Sequence, residues 1–280
     1  MATKALVLGG GGVTGVAWEL GVLAGLADAG VDLLAADLFV GTSAGSVVAA
    51  QVTSGIELAG LYEKQLAGSG AEVSARIGRR TLAGIGLAML RTRDELAFRR
   101  RVGRMALAAS TMPEAERRAF IAGRLPIHSW PEARLLVTAV DAETGEFVVF
   151  DRDKGVTLVD AVGASCAVPG VWPPVTIDGR RYIDGGIRSA TNADLAAGAD
   201  RVVVIAPVNA GGGPIARLAT QVAALRRTAA VTVIRPDRSA GQAIGRNVLD
   251  PTRRAPAARA GRAQATTIAA AVAQVWHGTA

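Results

Sequence analysis

Two short apolar segments near the start of the chain each end in a glycine-rich turn, and each turn is followed by small and apolar residues with helical spacing. Residues 5–8 precede a predicted helix over 16–29, and residues 37–40 precede a predicted helix from 46 to about 54. A buried strand that leads directly into a helix is typical of a parallel sheet with helices on its faces. The pattern therefore predicts an α/β fold in three layers, α/β/α, with a mainly parallel central sheet.

The remaining patterns extend this fold along the chain. With 280 residues, 50% of them hydrophobic, the chain is predicted to form one domain over 1–280. We expect its core over about 5–237, a helical, Arg-rich insertion over about 57–124, and a C-terminal part, 238–280. That part reads as a polar, partly mobile tail before a final helix near 262–276. Further strands are predicted over 134–140, 146–150, 180–183, 201–206 and 230–234, and helices near 57–66, 94–108, 113–122 and 158–165.

The first glycine-rich turn runs from Gly10 to Gly15 and joins a strand to a helix. Its bare backbone N–H groups can approach an anion at a helix N-terminus, where the helix dipole also favours negative charge. Dinucleotide-binding folds use such a loop for phosphate, and acyl-transfer enzymes use one for an oxyanion. A tight turn that only allows close helix packing is a third interpretation, so this loop alone does not decide the function.

The second turn has the pattern Gly41-x-Ser43-x-Gly45, again between a strand and a helix. Small residues on both sides of a serine permit the strained turn that lifts its hydroxyl out of the backbone, and the helix that follows adds positive potential. This context indicates a nucleophilic serine at position 43. The alternative is that Ser43 only caps the helix.

A serine nucleophile needs a base, and the chain has two histidines, His128 and His277, neither of them in a motif. The better candidate is Asp184, which follows a short predicted strand and precedes Gly185 and Gly186. Glycines after the acid allow a sharp turn and leave room for the serine side chain. Asp-Gly-Gly is otherwise a common turn.

Together, the glycine-rich loop, the Gly-x-Ser-x-Gly elbow and the Asp-Gly-Gly motif, in this order, resemble the patatin-like phospholipase family. Residues 164–170, 173–175 and 233–237 are also similar to family segments, so the resemblance runs from about residue 5 to 237. It implies a serine hydrolase that cleaves acyl esters of phospholipids, lysophospholipids or neutral lipids, without a cofactor. One departure is Thr14, where many relatives carry Arg or Lys.

The resemblance also implies the roles of individual residues. Ser43 becomes the nucleophile and Asp184 its base, in a Ser-Asp dyad. The backbone N–H groups that would form the oxyanion hole belong to Gly10, Gly11, Gly12 and Val13, and the residues that would support the three motifs are Gly15, Gly41, Gly45, Gly185 and Gly186.

Two other function classes compete with this interpretation. A Ser-Asp-His carboxylesterase or acyltransferase of broader specificity could use His277, but in that fold several strands precede the elbow, whereas one strand and helix precede Ser43 here. A non-enzymatic dinucleotide-binding module could use Gly10 to Gly15. It requires an acid at the end of the second strand, and here that strand ends in the elbow instead.

Charge and cysteine content limit the kinds of partner and ligand that we expect. The formal net charge is +7, almost all from arginine, yet no nucleic-acid-binding motif accompanies it, so we expect no nucleic-acid partner. A single cysteine, Cys166, and the lack of clustered ligands predict no metal site. No apolar run reaches the roughly 18 residues of a membrane span, and no signal peptide is evident, so a cytoplasmic protein is expected.

One apolar segment, 81–90, lies in the insertion between Arg79-Arg80 and Arg91-Arg93. It is predicted either as a buried helix or strand of the core, or as a mobile lid. A lid would place its apolar side in a membrane while the arginines meet anionic headgroups. Peripheral contact with anionic membranes is therefore an expectation from the sequence.

Overall fold

The computed structural model describes residues 2–67, 75–208 and 211–278. One sheet runs through this part of the molecule. Its strands are β1 (Lys4–Leu8), β2 (Leu38–Gly41), β3 (Arg134–Asp141), β4 (Phe147–Phe150), β5 (Val175–Ile177), β6 (Arg180–Asp184), β7 (Arg201–Ile205) and β8 (Ala230–Ile234). Their spatial order is β5-β6-β3-β2-β1-β7-β8, and β4 also pairs with β3.

Helices occupy most of the connections. They are α1 (Gly12–Asp28), α2 (Ala44–Val52), α3 (Leu58–Leu66), α4 (Arg79–Arg91), α5 (Glu95–Leu107), α6 (Glu114–Arg124), α7 (Leu158–Ser165), α8 (Leu218–Leu225), α9 (Arg238–Ile244) and α10 (Arg254–His277). Helices α3 to α6 fall in the stretch that the sequence predicts as a helical insertion.

The predicted fold class is confirmed. Strands β3, β2, β1, β7 and β8 pair in parallel, whereas β4, β5 and β6 join the sheet through antiparallel pairs. Side chains of β1 alternate between the faces, because successive residues of a strand point to opposite sides. Leu6 and Leu8 pack in the larger core with α1, α2, α7 and α10, while Ala5 and Val7 pack on the other face with α8. The result is three layers, α/β/α.

The C-terminal part differs from its prediction. Helix α9 forms within the segment predicted as a polar tail, and α10 begins at Arg254 rather than near 262. The scarcity of large apolar residues there reflects close helix packing rather than mobility. A Cβ on Gly21 would collide with the Ala258 carbonyl, and one on Gly25 would lie 2.6 Å from the Arg262 carbonyl oxygen, so α1 and α10 approach almost backbone to backbone.

The structure also corrects one boundary, adds one strand and decides between a helix and a strand for one segment. Helix α1 begins at Gly12 instead of residue 16, so the glycine-rich loop itself forms the first helical turn. Strand β5 is not predicted, because it has only three residues and follows a proline-rich stretch. The segment 81–90 is a helix and not a strand; it buries Ala88 against the core beside α5, while Leu82, Leu87 and Leu90 are exposed.

Candidate active site

Ser43 lies at the sharp turn between β2 and α2. Its backbone has φ 52° and ψ −117°, a conformation that residues with a side chain rarely adopt. The turn needs its two glycines, since a Cβ on Gly45 would collide with the Leu8 carbonyl and one on Gly41 would lie 2.5 Å from the Ser46 Cα. Because α2 begins at Ala44, the positive end of its dipole lies beside the Ser43 side chain.

Hydrogen bonds to the C-terminal end of α7 and to α2 hold the Ser43 backbone. Its N–H donates to the Ser165 Oγ at 2.8 Å, and its carbonyl accepts from the Ser46 Oγ at 2.7 Å and from the Cys166 Sγ at 3.3 Å. Burial raises the pKa of the Cys166 thiol to about 11, so this thiol stays protonated at neutral pH. The backbone groups of Ser43 are thereby satisfied, and its hydroxyl is left to face Asp184.

Asp184 reaches Ser43 because two strands run toward each other along β3. Strand β2 runs parallel to β3 and ends with Gly41 opposite Val137, whereas β6 runs antiparallel and ends with Asp184 opposite Ala139. The two strand ends are thus separated by a single β3 residue. The sequence motifs at positions 43 and 184 meet through this arrangement, with a hydrogen-bonding interaction between the Ser43 side chain and the Asp184 carboxyl.

The Asp184 carboxyl lies in a protected setting, with 5% of the residue exposed. Burial raises its pKa from 3.8 to about 6, because a charged carboxylate loses its hydration there. The hydrogen bonds from Ser43 and from the Gly186 N–H, at 2.7 Å, act in the opposite direction and limit the rise. A carboxyl with such a pKa is ionised at neutral pH and binds a proton more strongly than ordinary aspartate does.

The glycine-rich loop contributes fewer free donors than the sequence suggests. The Gly10 N–H donates to the Ala190 carbonyl at 2.8 Å, so it cannot also serve an oxyanion. This corrects the expectation for Gly10. For the N–H groups of Gly11, Gly12 and Val13 no partner is found in the part of the chain that the structure describes, as expected at the start of a helix. Gly12 needs to be glycine because its φ is 60°.

Thr14 does not line the cleft beside Ser43 and is bonded to the C-terminal part of the chain. Its N–H and its hydroxyl both donate to the Val248 carbonyl, each at 3.2 Å. The residue is fully buried. Thr14 therefore ties α1 to the segment before α10.

A narrow cleft lies beside Ser43 and the start of α1. It leaves a cavity of about 40 Å³, room for only a few water molecules. The lining is mostly apolar, with two arginines of α6. The residues that line it are Gly12, Val13, Val16, Ser43, Ala44, Val47, Arg117, Phe120, Arg124, Cys166, Val168, Trp172 and Leu249.

A buried amide beneath the site was not foreseen from the sequence. Asn192 has a left-handed backbone, and its Nδ2 lies 3.0 Å from the Thr42 Oγ1, 3.2 Å from the Thr138 Oγ1 and 3.4 Å from the Gly185 carbonyl oxygen. It links the serine elbow, strand β3 and the turn after Asp184. Its signal in the sequence is weak, a single asparagine in a short polar run.

Neither histidine belongs to the site. His277 ends α10, where the carbonyl of the preceding Trp276 accepts a hydrogen bond from Arg201 at the amino end of β7. Ser43 follows the opposite, carboxyl end of the parallel strands. The five residues of β7 put roughly 13 Å between the two ends of that strand. His128 is exposed, and its ring is hydrogen-bonded at 2.9 Å to the Ala122 carbonyl.

Within the described residues, no group of three or more His, Cys, Asp or Glu side chains could hold a metal ion. In the same residues, no helix has both the length and the apolar character needed to cross a bilayer.

The family described as "Patatin-like phospholipase" matches residues 6–197. The fold is similar to that of VipD from Legionella pneumophila, with a TM-score of 0.48 and 13% identity over 97% of this chain and 67% of that one. It is also similar to the type III effector protein ExoU, with a TM-score of 0.46 and 15% identity, covering 97% of this chain but 53% of that one. Since the family match spans well over half of its residues, the chain belongs to the patatin-like phospholipase family.

Proposed function

We propose that this protein is a serine hydrolase that cleaves acyl esters of lipids, with Ser43 as nucleophile and Asp184 as its base. Membership of the patatin-like phospholipase family supports the activity of a lipid hydrolase. The observation that supports the roles of Ser43 and Asp184 is the pairing of the Ser43 side chain with a buried carboxyl whose pKa is raised to about 6. A base with its pKa near the working pH can both accept and return a proton.

The reaction proceeds in two halves. Asp184 takes the proton from the Ser43 Oγ as that oxygen bonds to the ester carbonyl carbon, and the protonated Asp184 then gives the proton to the leaving alkoxide. A water molecule next attacks the acyl-enzyme while Asp184 accepts one of its protons. That proton returns to the Ser43 Oγ when the ester bond to Ser43 breaks, which releases the fatty acid and restores the site.

The negative charge that develops on the carbonyl oxygen needs donors that are already in place. The N–H groups of Gly11, Gly12 and Val13 are the best candidates, because they stand at the N-terminus of α1 and two of these residues, Gly12 and Val13, line the cleft with Ser43. The dipoles of α1 and α2 both present their positive ends there. Glycines 41, 45, 185 and 186 support the turns that hold the two reacting side chains.

We further propose that α4 brings the cleft to an anionic membrane. One face of α4 packs on α5, and the other presents Leu82, Leu87 and Leu90 to solvent, with Leu90 87% exposed. The amino end of α4 touches the loop that lines the cleft, since a Cβ on Gly170 would lie 2.5 Å from the Thr81 Oγ1. Exposed leucines beside arginines suit insertion at the headgroup boundary.

The reaction is tested with a fluorophosphonate probe and a panel of lipid and short-chain esters. Wild-type protein should be labelled and should hydrolyse at least one ester class, whereas Ser43→Ala should lose both activities and keep its fold. Ser54→Ala is the matched control, because the Ser54 hydroxyl caps a carbonyl at the far end of α2. Labelling that persists in Ser43→Ala would place the nucleophile elsewhere.

A further inference from the structure

An arginine of the insertion is buried in the wall of the cleft. Arg117 lies on α6, is 7% exposed and lines the same cleft as Ser43. Its guanidinium stacks on the Trp172 ring, 3.9 Å from the ring centre. Such stacking orients the guanidinium plane but does not use its N–H donors.

The charge of Arg117 is poorly compensated within the protein. Its Nε is buried and has no hydrogen-bond partner among the described residues, and no ion pair of Arg117 is found there. Burial lowers the pKa of Arg117 to about 10, and the nearby Arg124 acts in the same direction. A buried charge without a partner is destabilising, so a ligand that supplies a negative charge would gain from both relief of this penalty and new hydrogen bonds.

A second cation lies on the same side of the cleft. Arg124 follows Arg117 by seven residues, which is about two helical turns, and also lines the cleft. The cleft lining contains these two arginines and no carboxylate among the described residues. Its wall therefore combines apolar side chains with two guanidinium groups.

We propose that Arg117, oriented by Trp172, binds an anionic group of the substrate, a phosphate or a carboxylate, next to the ester that Ser43 attacks. This inference rests on the proposed function, since it takes Ser43 as the reacting group. Arg117 thereby selects amphiphiles that carry a negative charge near the acyl ester over neutral ones of the same chain length.

The test measures binding and needs no turnover, so its failure is separate from failure of the proposed hydrolysis. Octyl phosphate, octanoate and octanol are titrated calorimetrically into wild-type protein, Arg117→Met and Arg104→Met. Methionine keeps an apolar stem over Trp172 and removes the charge. Arg104 is exposed on α5 and is the matched control for the loss of one positive charge.

Wild type should bind at least one octyl anion about ten- to a hundredfold more tightly than octanol, the range expected for charged hydrogen bonds. Arg117→Met should lose this preference and Arg104→Met should keep it. The phosphate and carboxylate arms identify the anion. Equal binding of all three ligands by wild type, or an unchanged preference in Arg117→Met, overturns the proposal.

A thermal unfolding scan separates recognition from a structural role. Arg117→Met should unfold at the same or a higher temperature than wild type, because it removes a poorly paired buried charge. A purely structural Arg117 would instead lower it. If Arg117→Met does not fold, Arg117→Lys decides the question, since a lysine that keeps the charge should retain a several-fold preference for the anion, and a complete loss of preference contradicts the proposal.

Discussion

The hydroxyl of Ser165 accepts a hydrogen bond from the backbone N–H of Ser43 at 2.8 Å, although 122 residues separate the two in the chain. Ser165 is the last residue of α7, and Ser43 is the strained residue of the elbow. Both residues are buried. The bond fixes the backbone at the residue whose side chain is proposed to react, and it does so from a helix that packs beside β3.

Ser165→Ala should therefore leave the Ser43 N–H buried without a partner. We expect the free energy of unfolding to fall by about 1–3 kcal/mol, and kcat to fall with little change in KM, because the hydroxyl of Ser43 loses its orientation. Urea denaturation and ester kinetics measure both effects. Ser54→Ala should change neither by a comparable amount, and a Ser165→Ala protein with wild-type kcat would argue against this positioning role.

The raised pKa of Asp184 predicts a pH profile. Its carboxylate must be ionised to act as a base, so kcat/KM should rise with pH through a midpoint near pH 6 and level off above it. A rate measured from pH 4 to 9 on a neutral ester gives this midpoint. A plateau that already extends below pH 4.5 would mean that the titrating group is not Asp184.

The same shift predicts an effect on stability. The folded state binds the Asp184 proton more tightly than the unfolded chain, so ionisation of this carboxyl opposes folding above about pH 6 and has no effect below about pH 4. A shift of about two pKa units corresponds to roughly 3 kcal/mol. In urea denaturation, Asp184→Asn should thus have a higher free energy of unfolding than wild type at pH 8, by up to roughly 3 kcal/mol. At pH 4 the two free energies should be similar. Equal gains at both pH values would assign the effect to packing.

The positions of the histidines predict a dyad without a third member. Asp184→Asn should lower the rate by several orders of magnitude, whereas His277→Ala and His128→Ala should each lower it less than about tenfold, which is under about 1.4 kcal/mol of barrier. Steady-state kinetics on the three variants, with circular dichroism as the folding control, decides between dyad and triad. A loss in folded His277→Ala as large as that in Asp184→Asn would favour the triad.

Membrane contact through α4 predicts a dependence on lipid charge and salt. Wild-type protein should sediment with anionic vesicles more than with zwitterionic ones, and added salt should weaken the binding because arginine attraction is screened. Leu87→Asp together with Leu90→Asp should reduce binding severalfold, while Ile127→Asp, at an exposed isoleucine outside α4, should not. Equal binding by the folded double variant would leave α4 without a membrane role.

The sequence predicts the first two strand and helix units well, because the residues that define each unit are close together in the chain. An apolar strand, a glycine turn and a small-residue helix lie within a few residues of one another, and the structure places Ser43 at such a turn. The approach of Asp184 could not be predicted in the same way. It depends on β6 running antiparallel to β3 and ending with one β3 residue, Thr138, between its end and the end of β2, which is a matter of sheet register.

Other errors of the sequence interpretation also concern partners that are distant in the chain. The Gly10 N–H is used by the Ala190 carbonyl, and the α1 surface is covered by α10 through glycines. A polar, alanine-rich segment resembles a mobile tail when the helix it packs on is unknown. The burial of Arg117 against Trp172 is likewise invisible in the sequence, because the two residues lie on different elements, 55 positions apart.

The position of β1 has a consequence for dissecting this protein. The family match ends at residue 197, yet β1 is flanked by β2 on one side and on the other by β7, which begins only at Arg201. A fragment cut at that point would turn the strand that carries the glycine-rich loop into an unprotected sheet edge, open to pairing with other copies, and would strip α10 from α1. The recognisable motif region is therefore shorter than the unit that must fold, and expression boundaries drawn from the match alone should give aggregates.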